Sequence, residues 1–219
     1  MGAVLGELLP FALAVAISPI PIIAVILMLL AAKAGGTSTG FLAGWAAGIV
    51  VATAIVIWLA SAVGLSAGSG QPPVAVSWVK LLLGLLLLGL AGKQWTSRGR
   101  PGLPAWMTAI DKLTTVKAAG LGFTLAAVNP KNLMMCVAAG VAIAQGGTHQ
   151  ILLLVVFTVL AACGVAVPVA VYALAADRMR APLNRLKGWL EQNNATVMFV
   201  LLLVIGVVLI GKGLGGLLP

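Results

Sequence analysis

The chain has 219 residues, of which 62% are hydrophobic and only 8% are charged. Its mean hydropathy of +1.17 lies far above that of soluble globular proteins and excludes an ordinary soluble domain. The net charge of +9 would suggest nucleic acid binding in a soluble protein. In a chain this apolar the basic residues are expected beside membrane spans instead, so we predict no nucleic acid partner.

Six apolar stretches are long enough to cross a bilayer, whose hydrocarbon core of about 30 Å needs about 20 helical residues. We therefore predict an all-α membrane protein that forms one integral domain, residues 1–219. The six predicted transmembrane helices cover about residues 8–31, 40–64, 76–94, 117–145, 150–176 and 195–213.

The first span is interrupted near its middle by Ser18-Pro19-Ile20-Pro21. Proline has no backbone N–H and disfavours helix at the residue before it, so this segment predicts a break in the helix. The break leaves backbone groups without intrahelical partners, and in lipid such groups are tolerated only where protein or a cavity receives them. A polar point is therefore expected about halfway across the membrane.

Glycines recur along the second and third spans at a spacing that suits close helix packing. They are Gly40, Gly44 and Gly48 in the second span and Gly84, Gly89 and Gly92 in the third.

The fourth span is interrupted by Asn129-Pro130-Lys131-Asn132. Lys131 is predicted near the bilayer centre, where a charged side chain costs at least about 2.5–3.5 kcal/mol, and no Asp or Glu is predicted at that depth. Two interpretations of Lys131 stay open. It can bind an anionic group of a substrate, or it can cap carbonyls exposed at the breaks or stand in a water-filled crevice.

Both breaks together predict one substrate-binding site at the membrane midplane, because paired broken helices mark the binding sites of many secondary transporters. The predicted site residues are Ser18, Pro19, Pro21, Asn129, Pro130, Lys131 and Asn132.

Basic residues cluster in alternate connections between the predicted spans. Since cytoplasmic connections carry an excess of Lys and Arg, we predict a multi-pass protein of the plasma membrane with both termini external. The connections after spans one, three and five carry Lys33; Lys93, Arg98, Arg100, Lys112 and Lys117; and Arg178, Arg180, Arg185 and Lys187. Those after spans two and four carry none.

A shift of the chain by 111 positions aligns Pro19 with Pro130 and Trp78 with Trp189. Shared composition could also produce such matches. Three spans in each half would insert the second copy upside down, so we predict two inverted three-helix repeats with broken helices 1 and 4. Repeat one covers about residues 1–97, a cytoplasmic connection about 98–116, and repeat two about 117–219.

No pattern of an enzyme or a metal site is present. Cys136 and Cys163 lie in predicted spans without Cys-x-x-Cys spacing, His149 is the single histidine, and there is no nucleotide-binding loop. We therefore predict that the protein is not an enzyme and has no cofactor and no bound metal.

The broken segments also carry a resemblance. The chain resembles the GAP family of actinobacterial glycopeptidolipid-addressing and sulfolipid-addressing (Sap) proteins, within the lysine-exporter (LysE) superfamily. The resemblance rests on Ala16-Ile17-Ser18-Pro19-Ile20-Pro21, on Pro104-Ala105-Trp106-Met107 with Ile110-Asp111, on Asn129-Pro130-Lys131-Asn132 and on Asn193-Asn194-Ala195-Thr196-Val197-Met198. It implies a six-helix transporter of two inverted repeats that moves lipids or glycolipids toward the cell surface.

The predicted function is thus a secondary transporter that exports a lipid or glycolipid, with membrane lipids and this substrate as partners. An exporter of a small amphipathic metabolite such as an amino acid and a non-transporting scaffold for lipid synthesis are the alternatives. A thiol-relay oxidoreductase is disfavoured, since Ser18 and Asn129 stand where its cysteines would be. Association with lipid-synthesis or export machinery and homo-oligomerisation stay open.

Overall fold

The computed structural model describes residues 2–31, 34–65, 74–96 and 105–218, apart from the side chains of residues 105, 106, 108 and 111. These residues form helices and no β-strand, which confirms the predicted all-α class. The α-helices are Gly2–Ala16 (α1), Pro19–Leu30 (α2), Ala34–Ala62 (α3), Val74–Thr96 (α4), Thr115–Ala127 (α5), Pro130–Ala144 (α6) and Gln150–Gly215 (α7), and short 3₁₀ helices cover Ala105–Lys112 and Gly147–His149. Lys33, Arg98, Arg100 and Pro104, on which predictions above rest, lie outside the described residues.

Both predicted helix breaks are present. Helices α1 and α2 are bent by 50° at the first break, and α5 and α6 are bent by 63° at the second. Each second half-helix begins at the proline, with Ser18 and Asn129 in extended conformation at the N-cap positions. Proline is favoured at the first helical position because its missing N–H has no intrahelical acceptor there.

In the described residues, three helices are long and apolar enough to cross a membrane: α3, α4 and α7. Each bent pair also meets these criteria when it is counted as one span, which gives up to five candidate spans. The chain is therefore a multi-pass helical membrane protein. The count stays below the predicted six because the expected connection after the fifth span is itself helical and joins the two last spans into α7.

Helix α7 nevertheless doubles back. Gly164 packs against the carbonyl of Ala16, whereas Lys212 lies 3.7 Å from Glu7, in the same half-helix α1. A straight helix would separate Gly164 from Lys212 by about 72 Å, but Ala16 and Glu7 are only about 14 Å apart along α1. The reversal is accompanied by a non-helical residue, Ala175, with φ −152° and ψ 53°.

We name the two ends of the helix bundle after residues found there. The Glu7 end contains the beginnings of α1 and α4 and the last turns of α7, which Lys80 and Lys212 join to Glu7. The Lys117 end contains the beginnings of α3 and α5, where Gly36 lies against Thr115.

Helices α3 and α5 run parallel in very close contact. Gly40 faces Thr115, and Gly44 faces the backbone of Ala119, so that a Cβ atom at either glycine would collide with backbone atoms. The close packing predicted for Gly40, Gly44, Gly48 and Gly84 is confirmed, and Gly84 lies against Gly206 and Ile210 of α7. The prediction of close packing is wrong for Gly89 and Gly92, since a Cβ atom added at either of them would have no atom within 4 Å.

We expect Gly44→Ala to lower the free energy of unfolding by about 1–3 kcal/mol, because the added methyl group must push α3 away from Ala119. Gly89→Ala in α4 is the matched control and should be neutral or slightly stabilising, since space is free and alanine favours helix. Thermal unfolding of both variants in detergent measures the difference. Equal melting temperatures would contradict the close α3–α5 contact.

Candidate binding site at the paired helix breaks

The first break leaves a backbone carbonyl without its usual donor. In a regular helix the Ser18 N–H would donate to Ala14 O, but it donates instead to Val15 O at 3.2 Å. Pro19 and Pro21 cannot donate at all. The Ala14 carbonyl is therefore available to another donor.

The second break has a comparable carbonyl at Leu125. The Asn129 side chain caps α6 locally, since its Oδ1 accepts a hydrogen bond of 3.1 Å from the Lys131 N–H. Leu125 lies five residues before Pro130, as Ala14 lies five residues before Pro19. The two carbonyls are thus 111 positions apart, the same separation as the two prolines.

Two consecutive side chains of α6 satisfy these two carbonyls. Lys131 Nζ donates to Ala14 O at 2.5 Å, across the interface between α6 and α1. Asn132 Nδ2 donates to Leu125 O at 2.9 Å, across the break within its own helix pair. The structure therefore joins the two predicted breaks through one lysine, and it gives Lys131 the carbonyl-capping contact that was one of its two interpretations.

Most of the predicted site residues lie inside the protein. Lys131 is 4% exposed, Asn132 0% and Ser18 3%. Pro19 and Pro21 are also buried, Asn129 is partly buried, and Pro130 is exposed on the surface of the helix pair. Pro130 thus shapes the backbone at the break, whereas the buried polar groups come from its neighbours.

The site retains hydrogen-bonding capacity. An ammonium group has three N–H donors, and the Lys131 bond to Ala14 O accounts for one of them. Asn132 Oδ1 is buried and has no hydrogen-bond partner among the described residues. Cationic donors and a free carbonyl acceptor therefore lie on the first turn of α6, which could contact a group that carries both an anionic oxygen and a hydroxyl.

Two depressions lie elsewhere on the protein surface, and neither is lined by a residue of the predicted site. One of about 310 Å³ lies between α3 and the beginning of α7, where Trp58 and Ile151 are 69% and 80% exposed. Another, of about 520 Å³, lies at the Lys117 end. It is lined by Ala34, Gly35, Gly36, Thr37, Leu113, Thr114 and Thr115.

A second group of charges was missed by the sequence analysis. Glu7 Oε1 lies 2.8 Å from Lys80 Nζ and 3.7 Å from Lys212 Nζ, and the three side chains are 17%, 14% and 37% exposed. The signal was present in the sequence, in which all three residues lie near the ends of apolar stretches. Their pairing depends on which of these ends are neighbours, which the sequence does not state.

The fold and the paired breaks define a multi-pass helical membrane protein with a polar contact between two broken helices. The chain belongs to the family described as Sap, sulfolipid-1-addressing protein, whose model matches residues 8–215. No curated protein and no solved structure matches the chain. The family resemblance predicted from the sequence is confirmed for the sulfolipid-addressing proteins.

We expect Asn132→Leu to lower the free energy of unfolding by about 1–3 kcal/mol, because the partly buried Leu125 carbonyl would lose its donor. Asn193→Leu is the matched control, since Asn193 Nδ2 makes a similar bond of 2.8 Å to Trp189 O on an exposed surface. Thermal unfolding in one detergent measures both variants. A loss for Asn193→Leu equal to that for Asn132→Leu would contradict a special role of the buried break.

Proposed function

We propose that the protein is a secondary transporter that moves a lipid or glycolipid with an anionic headgroup toward the cell surface. In this proposal the protein lies in the plasma membrane with both termini external, and a sulfated lipid is the substrate suggested by the family description. The midplane site is the contact between the two broken helices.

The observation that carries the proposal is the bond between Lys131 Nζ and Ala14 O. Hydrogen bonds between an ammonium group and an anionic oxygen are roughly twice as strong as those between neutral groups. A sulfate or phosphate oxygen is therefore a better partner for Lys131 than the neutral carbonyl of Ala14. A headgroup that replaces this carbonyl would release α1 from α6, so that substrate binding and helix movement are coupled.

Two features support alternating access by inverted repeats. The carbonyls of Ala14 and Leu125 occupy equivalent positions of the two proposed repeats, and both are freed by a break. Since α7 doubles back between Gly164 and Lys212, its two arms supply the fifth and sixth passes. Two halves of three spans with opposite orientation suit a transporter that rocks around a fixed midplane site.

The surface groove between α3 and α7 favours a lipid over a small metabolite. Exposed apolar side chains such as Trp58 and Ile151 border this groove. A substrate with acyl chains can keep them in the bilayer at such a groove while its headgroup crosses the protein. An amino acid would need an enclosed polar chamber.

Translocation of a fluorescent sulfated glycolipid in reconstituted phosphatidylcholine vesicles tests the proposal. Lys131→Met should lower the rate about tenfold or more, because a charge-assisted hydrogen bond contributes about 1.5–3 kcal/mol. The exposed Lys117, whose side chain lies at the beginning of α5, gives the matched control Lys117→Met. This control should translocate the lipid at the wild-type rate.

In the second part of this experiment, translocation is measured for an uncharged glycolipid with the same acyl chains. Its slower translocation should not depend on Lys131. A wild-type rate for the sulfated lipid in a folded Lys131→Met protein, judged by its circular dichroism and gel filtration, would refute the proposed function.

A further inference from the structure

The charges at the Glu7 end are unbalanced. Two ammonium groups, of Lys80 and Lys212, share a single oxygen of Glu7. Among the described side chains the other acids are Asp177 and Glu191, which lie on the stretch of α7 that turns back at the Lys117 end. The cluster at the Glu7 end therefore retains one unit of positive charge.

The two lysines differ in geometry. Lys80 lies 2.8 Å from Glu7 Oε1 and is 14% exposed, so this pair ties the beginning of α4 to α1. Lys212 lies 3.7 Å away and is 37% exposed. Lys212 is therefore the more weakly held cation and the one that an external anion can reach.

The position of the cluster indicates what this anion is. Lys80 lies in the second turn of α4 and Lys212 in the last turn of α7. Near the ends of membrane-crossing segments, long cationic side chains extend toward lipid headgroups. Trp78, two residues before Lys80, is 58% exposed, as expected for an aromatic side chain at the membrane interface. A headgroup with an anionic oxygen thus has both access to Lys212 and a favourable charge.

We propose that Lys212 is the centre of a second binding site, which takes the anionic headgroup of a membrane lipid in competition with Glu7. Lys80 holds Glu7 in place while Lys212 exchanges between the carboxylate and the headgroup. The binding itself is independent of transport. Its use as the release point for exported lipid rests on the proposed function.

Titration of the purified protein with phosphatidylglycerol, followed by native mass spectrometry, tests this site. Lys212→Met should weaken binding of the tightest lipid about fivefold, the factor expected for one elementary charge at a membrane surface. Glu7→Gln should strengthen binding, because the competing carboxylate is removed. In the Lys212→Met background, Glu7→Gln should no longer strengthen it, since the two residues act on one site.

Lys187→Met is the matched control. Lys187 lies 3.8 Å from Glu191 at the Lys117 end, and its side chain is 25% exposed, but its pair carries no excess charge. This variant should keep the tightest lipid. Because the Lys212 site is measured by lipid binding and the proposed function by translocation, loss of phosphatidylglycerol binding in Lys212→Met separates this proposal from the proposed function.

Three results would overturn the site. They are wild-type phosphatidylglycerol affinity in both Lys212→Met and Lys212→Gln, weaker binding in Glu7→Gln, and equal affinity for phosphatidylcholine. The last experiment is a titration of the protein with inorganic phosphate in place of the lipid. Binding of phosphate without phosphatidylglycerol would assign Lys212 to a soluble anion and refute the lipid site.

Discussion

A backbone carbonyl that loses its helical donor inside a membrane must find another donor. Water is not available in the bilayer core, and an unsatisfied group costs several kcal/mol there. The sequence creates this problem twice, at Pro19 and at Pro130, and α6 supplies both donors. The contact between the two broken helices follows from this requirement, because Lys131 reaches the freed Ala14 carbonyl only when α1 lies against α6.

The side chains that donate to the two freed carbonyls both come from the second half of the chain. At a separation of 111 positions, Lys131 and Asn132 correspond to Ile20 and Pro21, neither of which has a polar side chain. Helix α6 therefore provides the donors, while α1 provides only an acceptor. Helix α1 is held at two points, Ala14 by Lys131 and Glu7 by Lys80, which lie about two turns apart. A ligand that replaces either contact changes the forces on this one half-helix.

The sequence predicts the breaks well and their partners poorly. Proline acts on its own backbone, so Pro19 and Pro130 locate the two breaks without any knowledge of the fold. The sequence offered capping of a carbonyl at the breaks as one of two interpretations of Lys131, but which carbonyl it caps depends on how α6 packs against α1. The Glu7 cluster was missed for a similar reason: its three members belong to helices that are distant in the chain, and their contact depends on tertiary packing.

The last two predicted spans illustrate a further limit. The residues between them alternate apolar and basic side chains with a helical period, and this connection is itself helical, with a kink at the non-helical Ala175. Only the contacts of Gly164 and Lys212 with the same half-helix reveal that α7 reverses direction. Hydrogen bonding defines the helix, but tertiary contacts define its path.

The central claim is that the Lys131 ammonium caps the Ala14 carbonyl. Solid-state NMR of the protein in lipid, labelled with ¹⁵N at lysine Nζ and ¹³C at alanine carbonyls, measures this contact directly. The account predicts a strong dipolar coupling between one lysine Nζ and one alanine carbonyl, which disappears in Lys131→Met. The absence of such a coupling in the wild-type protein, or its persistence in the variant, would contradict the account.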